Sequence, residues 1–596
     1  MPRSALRIAS VTAVGGVVAL VVAACGGGGG GGGATKTAAP SGAQKGGTLT
    51  VLANADVDYI DCGEAYYQFS YQIDYAMCRP LFSYKPGDTG VPSPDIASGP
   101  AQISADGKTV TVKLKSGVKF GPPVNREVTS KDVKYAIERG FNKNVANGYA
   151  SAYFGSLEGA PEATKAADGR PIDGIVTPDD HTIVFKLVPP ANIGKKPYAG
   201  GSVLAKALGL PLSTPVPEEY AKPFDAKSPS DYGNHLVATG PYMIPNDKTG
   251  KLTGYEPMKN ITLVRNPNWD PNTDYRPAYV DKIVVKEGVD PDVGSRQIVD
   301  GQSLVNGDFT PPPAILKQVA TTKKSQLLLL DSGGGRFMSF NFKVPPFNDI
   351  NVRKAVIAGM DRNALRLTRG GAIVGPIPTH QIPPGIPGFQ QAGGLAGPGD
   401  DWLKYPTGSK QVSAKYWKAA GFASGRYTGK TKILVVGDDS GVGGRAAEVA
   451  ASQLTDMGFN VTFRQVPHST MYTKFCNVPK ANVAFCPNTG WFKDFFDPQT
   501  ILDPTFNGKN ILQENNSNWP QMDDPTVNKL LDQGEITLDP AQRSKIFADA
   551  DKAITALAPN VPWVWDKQPN IASANVAAVG SSYNATIDLN FTSIKK

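Results

Sequence analysis

A chain of 596 residues with 40% hydrophobic and 19% charged side chains has a globular composition. It is too long for one ordinary core, so two or three lobes are expected. Lys and Arg number 61 against 53 Asp and Glu, a thin excess of +8 with no block of like charge. That pattern excludes a nucleic-acid groove. The four histidines (His181, His235, His380 and His468) stand far apart with no pair at metal-ligand spacing, which argues against a histidine-rich metal site.

At the amino terminus, Arg3 and Arg7 precede an apolar run over residues 8–24, broken only by Ser10 and Thr12. A basic start and an apolar stretch of this length predict a signal peptide over residues 1–24. An uncleaved anchor is the alternative, since the run approaches the ~20 residues a bilayer requires. The run ends in Val22-Ala23-Ala24-Cys25, which resembles the lipobox of bacterial lipoproteins and implies lipidation of Cys25 after cleavage. Eight consecutive glycines (residues 26–33) and a Thr/Ala/Pro/Ser stretch follow, so residues 25–45 read as a lipidated cysteine and flexible tether. Export places the rest in an oxidising compartment. With Cys25 assigned to the lipid, Cys62, Cys78, Cys476 and Cys486 allow three connectivities, of which Cys62–Cys78 and Cys476–Cys486 are favoured. A zinc site is the alternative, but the spacings match no finger or ribbon.

The body alternates strand and helix signals. Residues 47–52 open as a strand, and residues 108–114 alternate apolar Val110, Val112 and Leu114 with polar neighbours, the period of a half-buried strand. Thr129 with Asp132 makes a capping-box pattern ahead of Val133, Ala136 and Ile137. Residues 183–187 read as a strand stopped by Pro189-Pro190, and residues 351–367 as one helix stopped by Gly370-Gly371. Residues 433–436, 444–457 and 459–466 predict one βαβ unit. Asp539-Pro540 caps a helix with Ile546, Phe547, Ala550, Ala553, Ile554 and Leu557 as its apolar stripe.

Four stretches carry a family resemblance. The first is Asp106-Gly107-Lys108 through Gly117-Val118-Lys119-Phe120, with Asp132-Val133 to Ile137-Glu138-Arg139. The second is Ala238-Thr239-Gly240-Pro241-Tyr242 with Arg265-Asn266-Pro267-Asn268-Trp269. The third is Phe340-Asn341-Phe342 with Pro346-Phe347-Asn348-Asp349, Val352-Arg353-Lys354-Ala355 and Met360-Asp361-Arg362, and the fourth is Trp491-Phe492-Lys493-Asp494. In this order they resemble the extracellular solute-binding proteins of family 5, the dipeptide-, oligopeptide- and nickel-binding components of ABC importers. Two departures stand out: residues 121–127 replace the usual loop after Phe120, and Lys493 stands where a small residue is usual.

The resemblance implies an α/β, two-lobed, periplasmic-binding-protein-like fold of type II, in the large peptide-binding subclass. Lobe I would comprise residues 46–312, with an extra subdomain near 85–230, and a return at 562–596. Lobe II would comprise 313–561, with crossings expected at the proline runs 311–313 and 559–562. Ligand would lie between the lobes and be enclosed by hinge closure. In peptide-binding members the aspartate of the fourth block pairs with the peptide α-ammonium, and here that position is Asp494. The alternative pairs Asp494 with Lys493 or another cation, although neighbours on a strand point to opposite faces. Trp491 stacks on ligand or fills core, and Asp497-Pro498 reads as a turn or helix cap. Glu64 to Tyr71 matches the ligand-facing region of lobe I, with Tyr66, Tyr67 and Gln68 as candidate contacts. His380 reads as a surface residue of a proline-rich loop.

Enzyme readings find no support. Gly441-Val442-Gly443-Gly444 is not a nucleotide fingerprint, no Walker lysine follows, and no G-x-S-x-G elbow occurs. The expectation is a monomeric receptor without catalytic residues, cofactor or metal, anchored by lipid to the outer face of the bacterial cytoplasmic membrane. It would hand a short peptide to permease and ATPase subunits. A nickel chelate, an oligosaccharide, another amine-bearing solute, or a non-transport lipoprotein are the alternatives.

Overall fold

Thr48–Leu52 buries Leu49 and Val51, and runs parallel to Lys282–Lys286 on one side and Leu304–Asn306 on the other. Asn260–Arg265 and Tyr242–Met243 extend this sheet in antiparallel fashion, with Tyr255–Glu256 paired off its path. These assignments come from a computed structural model, which describes residues 43–190, 197–513 and 515–595. The signal segment, Cys25 and the glycine run lie outside the described residues.

A second, four-stranded antiparallel sheet joins Gln102–Ile103, Thr109–Lys113, Thr182–Lys186 and Ile175–Asp179. Its core draws on residues 81–237 and on buried Phe495 from far along the chain, with half-buried Ile536 packed against it. Helix Ser130–Arg139 starts with the expected capping box of Thr129 and Asp132. These two sheets make up the first lobe.

The second lobe is built on a five-stranded sheet in the order Asn460–Val466, Lys432–Asp438, Phe485–Phe492, Leu327–Phe340 and Asn560–Ile571. The βαβ unit is present, with Lys432–Asp438 and Asn460–Val466 parallel and Gly441–Asp456 between them. Gly441, Gly443 and Gly444 form that helix's first turn instead of preceding it. The single helix expected over residues 351–367 is instead two, Ile350–Gly359 and Arg362–Arg369. Met360 leaves helical backbone geometry (ψ 136°), and Asp361 caps the second helix by accepting from the Ala364 amide at 2.8 Å. A local cap outcompeted continuation. Pro540–Ala556 begins with Asp539 accepting from the Gln542 amide at 2.7 Å, and buries Ile546, Phe547, Ala550 and Ile554.

Leu327–Phe340 and Asn560–Ile571 are 14 and 12 residues long and pair with each other in antiparallel register. Beyond their inner halves in the second sheet, residues 327–331 and 567–571 continue as a ribbon towards the first lobe. There Val305 bridges Ala572, and the Asn306 side chain accepts from the Ile571 amide at 2.6 Å. The ladder shifts register between Asp331 and Gly335, where Gly333 takes φ +66°. Pro313 opens helix Pro313–Thr322, and Pro562 lies within Asn560–Ile571. Disulfides join Cys62 to Cys78 and Cys476 to Cys486. Among the described residues no helix is long and apolar enough to cross a membrane.

Candidate functional site

Strand Phe485–Phe492 delivers the chain to the cleft edge of the second lobe, and the next five side chains all reach the first. Lys493 is buried, and its Nζ donates to the Ser332 carbonyl at 2.9 Å and the Tyr583 carbonyl at 2.8 Å. Gly333 makes room for it, since a Cβ there would stand 2.5 Å from Lys493 Cδ. Asp494 accepts the Tyr66 hydroxyl on Oδ1 at 3.0 Å and the Tyr153 hydroxyl on Oδ2, while the Tyr583 hydroxyl donates to its backbone carbonyl at 2.7 Å. Phe495 lies in the first-lobe core, edge-on to Tyr153 at 5.0 Å. Phe496 packs on Tyr84 at 5.7 Å. Asp497 is fully buried between Lys206 of the first lobe (2.8 Å) and Arg543 of the second.

Burial raises the Asp494 carboxyl to about 6, against the opposing pull of the Tyr153 and Tyr66 hydroxyls. Burial also pushes the Lys493 amine down to about 7, opposed only by Asp331. The two neighbours therefore do not form a pair. Lys493 points to backbone carbonyls and Asp494 to phenols. Burial, then the charge of Asp494, pushes Tyr66 and Tyr153 well up, so both stay protonated donors. Burial works against the charge of Asp497, yet Arg543 and Lys206 hold it below the usual carboxylate range.

Further tyrosines complete the surroundings. Ring centroids lie 5.9 Å apart for Tyr66–Tyr149, 6.4 Å for Tyr149–Tyr153 and 6.1 Å for Tyr75–Tyr583, and Tyr84 stacks on Tyr583 at 4.1 Å. A carboxylate walled by phenol rings is suited to a cation, which gains both a charged partner and π faces.

Of the residues singled out in the sequence, Tyr66 and Asp494 come into direct contact. Tyr67 is 56% exposed, and its amide, like that of Tyr66, donates to Asp58. Gln68 opens helix Gln68–Met77, and its carbonyl accepts from Asn584. Trp491 is half-buried, its Nε1 donating to the Thr500 carbonyl at 2.6 Å and its ring edge-on to Trp519 at 6.1 Å. Glu64 is buried, accepting from the Ala146 amide, and burial with nearby Asp61 raises it to about 7. Asp497 does accept from the Gln499 amide ahead of helix Gln499–Phe506, and it also carries the cross-lobe ion pair. His380 is not at the surface. It is fully buried, with Nδ1 on Asp551 at 2.7 Å and its ring between Phe389 and Trp565. The helix carrying Asp551 covers the proline-rich loop, which local composition does not reveal.

Tyr153, Tyr583 and Lys206 were missed because each lies in a different part of the chain from Asp494 and Asp497. The one acidic cluster with metal-like spacing among the described residues, Asp503, Asp532 and Glu535, already holds Lys509 at 3.6, 3.0 and 2.7 Å.

The family model for bacterial extracellular solute-binding proteins, family 5 middle, matches residues 91–513. Di/tripeptide-binding protein 2 of Pseudomonas aeruginosa is 24% identical over 535 residues, covering 87% of this chain and 88% of that protein. Heme-binding protein A of Haemophilus influenzae is 23% identical over 493 residues, 81% and 80% of the two chains. Among solved structures, clavulanic acid biosynthesis oligopeptide binding protein 2 superposes with TM-score 0.78 at 26% identity, covering 94% of this chain and 99% of that one. Haemophilus influenzae OppA in complex with RPPGFSPFR superposes with TM-score 0.71 at 18% identity, covering 93% and 100%. The two-lobed architecture, the order of the four sequence blocks and the span of the family match agree. The chain belongs to the bacterial extracellular solute-binding proteins of family 5, and it is a binding protein, not an enzyme.

Proposed function

We propose that this protein captures a short peptide between its lobes and delivers it to the permease and ATPase of an ABC importer. Cys25 carries the lipid that holds it at the outer face of the cytoplasmic membrane, and residues 25–45 are its tether. The observation that carries the reading is Asp494. It is a carboxylate at the cleft edge of the second lobe, walled by Tyr66, Tyr153 and Tyr583 from the first. A peptide α-ammonium exchanges with the phenols for that carboxylate and gains their ring faces. Closure turns on the ribbon of Leu327–Phe340 and Asn560–Ile571, and ligand shifts the equilibrium only by binding the closed form better.

The names of relatives support the peptide reading, since P. aeruginosa and H. influenzae proteins of this family are described by di/tripeptide or peptide ligands. The name of heme-binding protein A keeps other solutes in play, because the fold does not fix the ligand. Native mass spectrometry of residues 45–596, purified without denaturation, tests the reading. A ladder of added masses that fragments to amino-acid ions supports it, and Asp494→Ala is then expected to come out empty. A single discrete adduct or a metal overturns the peptide assignment and keeps the receptor. The absence of any adduct, with no thermal shift from peptide, sugar or metal panels, favours a non-transport lipoprotein.

A further inference from the structure

A cavity of about 460 Å³ lies apart from Asp494, between helix Gly200–Ala207 of the first lobe and the start of helix Pro540–Ala556 of the second. Phe82 and Val203 line it from the first lobe and Pro498 from the second. Val91, Ile103 and Leu538 line it too, and they are 75%, 38% and 38% exposed. None of Tyr66, Tyr149, Tyr153 and Tyr583, which surround Asp494, reaches it. Along the chain, buried Phe495 and Phe496 separate Asp494 from Asp497, which does line it. The volume is that of a pocket for a small organic molecule. Exposed apolar side chains gathered on one hollow, unlike scattered ones, mark a place where something binds.

The charged residues of its lining are Lys206, Asp497 and Arg543. Every nitrogen of the Arg543 guanidinium has a partner: Nε donates to the Gly534 carbonyl at 3.0 Å, Nη2 to Gln499 at 2.6 Å and Nη1 to Asp497. Lys206 Nζ donates to Asp497 Oδ2 at 2.8 Å and to nothing else among the described residues. An ammonium group has three N–H donors, so this one keeps donors to offer, on a side chain that is 22% exposed. Two cations share one carboxylate, and the cluster is left with one uncancelled positive charge. An apolar hollow with a single excess cation and free donors suits a molecule that has an apolar body and one anionic group.

We propose that this cavity is a second ligand site, for an amphipathic anion whose head takes the free N–H groups of Lys206 and whose apolar body fills the hollow. Val203 and Lys206 stand three apart on Gly200–Ala207 and so share a helix face. The walls come from both lobes, so opening of the lobes takes the site apart. The anion therefore favours the closed form, and it raises the affinity for a solute held at Asp494 by the factor that the solute raises its own. The site goes beyond the peptide reading, and its existence does not depend on it.

The test is calorimetric titration of the full chain in lipid nanodiscs, with empty nanodiscs as the reference. The probes are ω-phenylhexanoate, ω-phenylhexanol and ω-phenylhexylammonium, which share one apolar body. The wild type is expected to bind the acid roughly tenfold more tightly than the alcohol, and the ammonium least. Lys206→Met is expected to bind acid and alcohol alike, and Val203→Trp, which fills the hollow, to lose both. Asp494→Ala is expected to keep the affinity for the acid. Saturation with the acid is expected to raise wild-type affinity for a tripeptide, and the tripeptide to raise affinity for the acid equally. Equal wild-type binding of the three probes, or binding of none, overturns the inference, and neither comparison needs a variant to fold. Loss of the acid in Asp494→Ala with retention in Val203→Trp places the probe at the tyrosine-walled carboxylate and overturns it as well. Acid binding that leaves tripeptide affinity unchanged overturns the link to closure. Failure of the tripeptide to bind, with the acid bound as expected, overturns the peptide reading and leaves this site standing.

Discussion

The hydroxyl of Tyr66 donates to Oδ1 of Asp494 at 3.0 Å, joining two side chains 428 positions apart across the cleft. Tyr153 occupies the other carboxylate oxygen. Both oxygens of the carboxylate are thus hydrogen-bonded by the first lobe. A ligand cation must therefore offer more than two phenols do, and the difference sets its affinity.

The pH dependence of binding follows from the Asp494 carboxyl, raised by burial to about 6. Only the ionised form pairs with an ammonium group. Affinity is expected to be level above pH 7 and to fall about tenfold per pH unit below 6. Stability moves the other way. The unfolded carboxyl ionises near 4, so the folded chain holds the extra proton between about 4 and 6, and the contribution is lost as pH rises through that window. Titration calorimetry from pH 5 to 8 checks the first, and Asp494→Asn is expected to flatten the profile.

Lys493 supplies a second pH signature. Its folded value is pushed down to about 7 by burial, while an unfolded lysine keeps its proton to about 10. Between these values the unfolded chain binds more protons, so this group makes stability rise with pH from about 7 upward. Urea unfolding at pH 7 and pH 9 is expected to show that rise in the wild type and a smaller one in Lys493→Met. Equal slopes would show that the amine is hydrated in solution.

The ion cluster at Asp497 separates closure from folding. Lys206 reaches it from the first lobe with a side chain 22% exposed, and Arg543 reaches it from within the second. Lys206→Met removes a cross-lobe contact of about 1 kcal/mol, so ligand binding is expected to weaken about fivefold with little change in unfolding. Arg543→Met leaves a buried carboxylate short of its main partner and is expected to cost about 3–5 kcal/mol of stability. Thermal melts and calorimetry on both variants check the contrast.

The Cys62–Cys78 disulfide closes a 16-residue separation that contains Tyr66. A loop of that size is worth about 3 kcal/mol in the unfolded-chain entropy model. The double variant Cys62→Ser with Cys78→Ser is expected to lose stability of that order and to bind ligand more weakly, because Tyr66 loses its anchored segment. Removing Cys476–Cys486 is expected to lower stability without touching the Tyr66–Asp494 contact.

Short-range features were legible in the sequence where the signal is local. The Thr129–Asp132 box, the Asp539 cap and the βαβ unit of residues 432–466 each depend on residues within a turn or two of one another. The long ribbon was not legible, since Leu327–Phe340 reads as a leucine run followed by three glycines, with no period. Its partner in the ribbon, Asn560–Ile571, lies more than 200 residues away. At the site, Asp494 was visible through its motif and Tyr66 through its aromatic neighbourhood. The direction of Lys493 was set by Gly333 and the Tyr583 carbonyl, which no spacing in the sequence connects to it. The break at Met360–Asp361 and the burial of His380 were hidden for related reasons, a cap competing with a helix and a distant helix covering a loop.

Calorimetric titration of wild type and Asp494→Asn with the same tripeptide at pH 7.5 tests the central claim most directly. The account predicts wild-type binding, a loss of tenfold to several-thousandfold in the variant (~2–5 kcal/mol), and similar melting temperatures for the two empty proteins. Equal affinities would contradict it, and would place the ligand's cationic end somewhere other than the tyrosine-walled carboxylate.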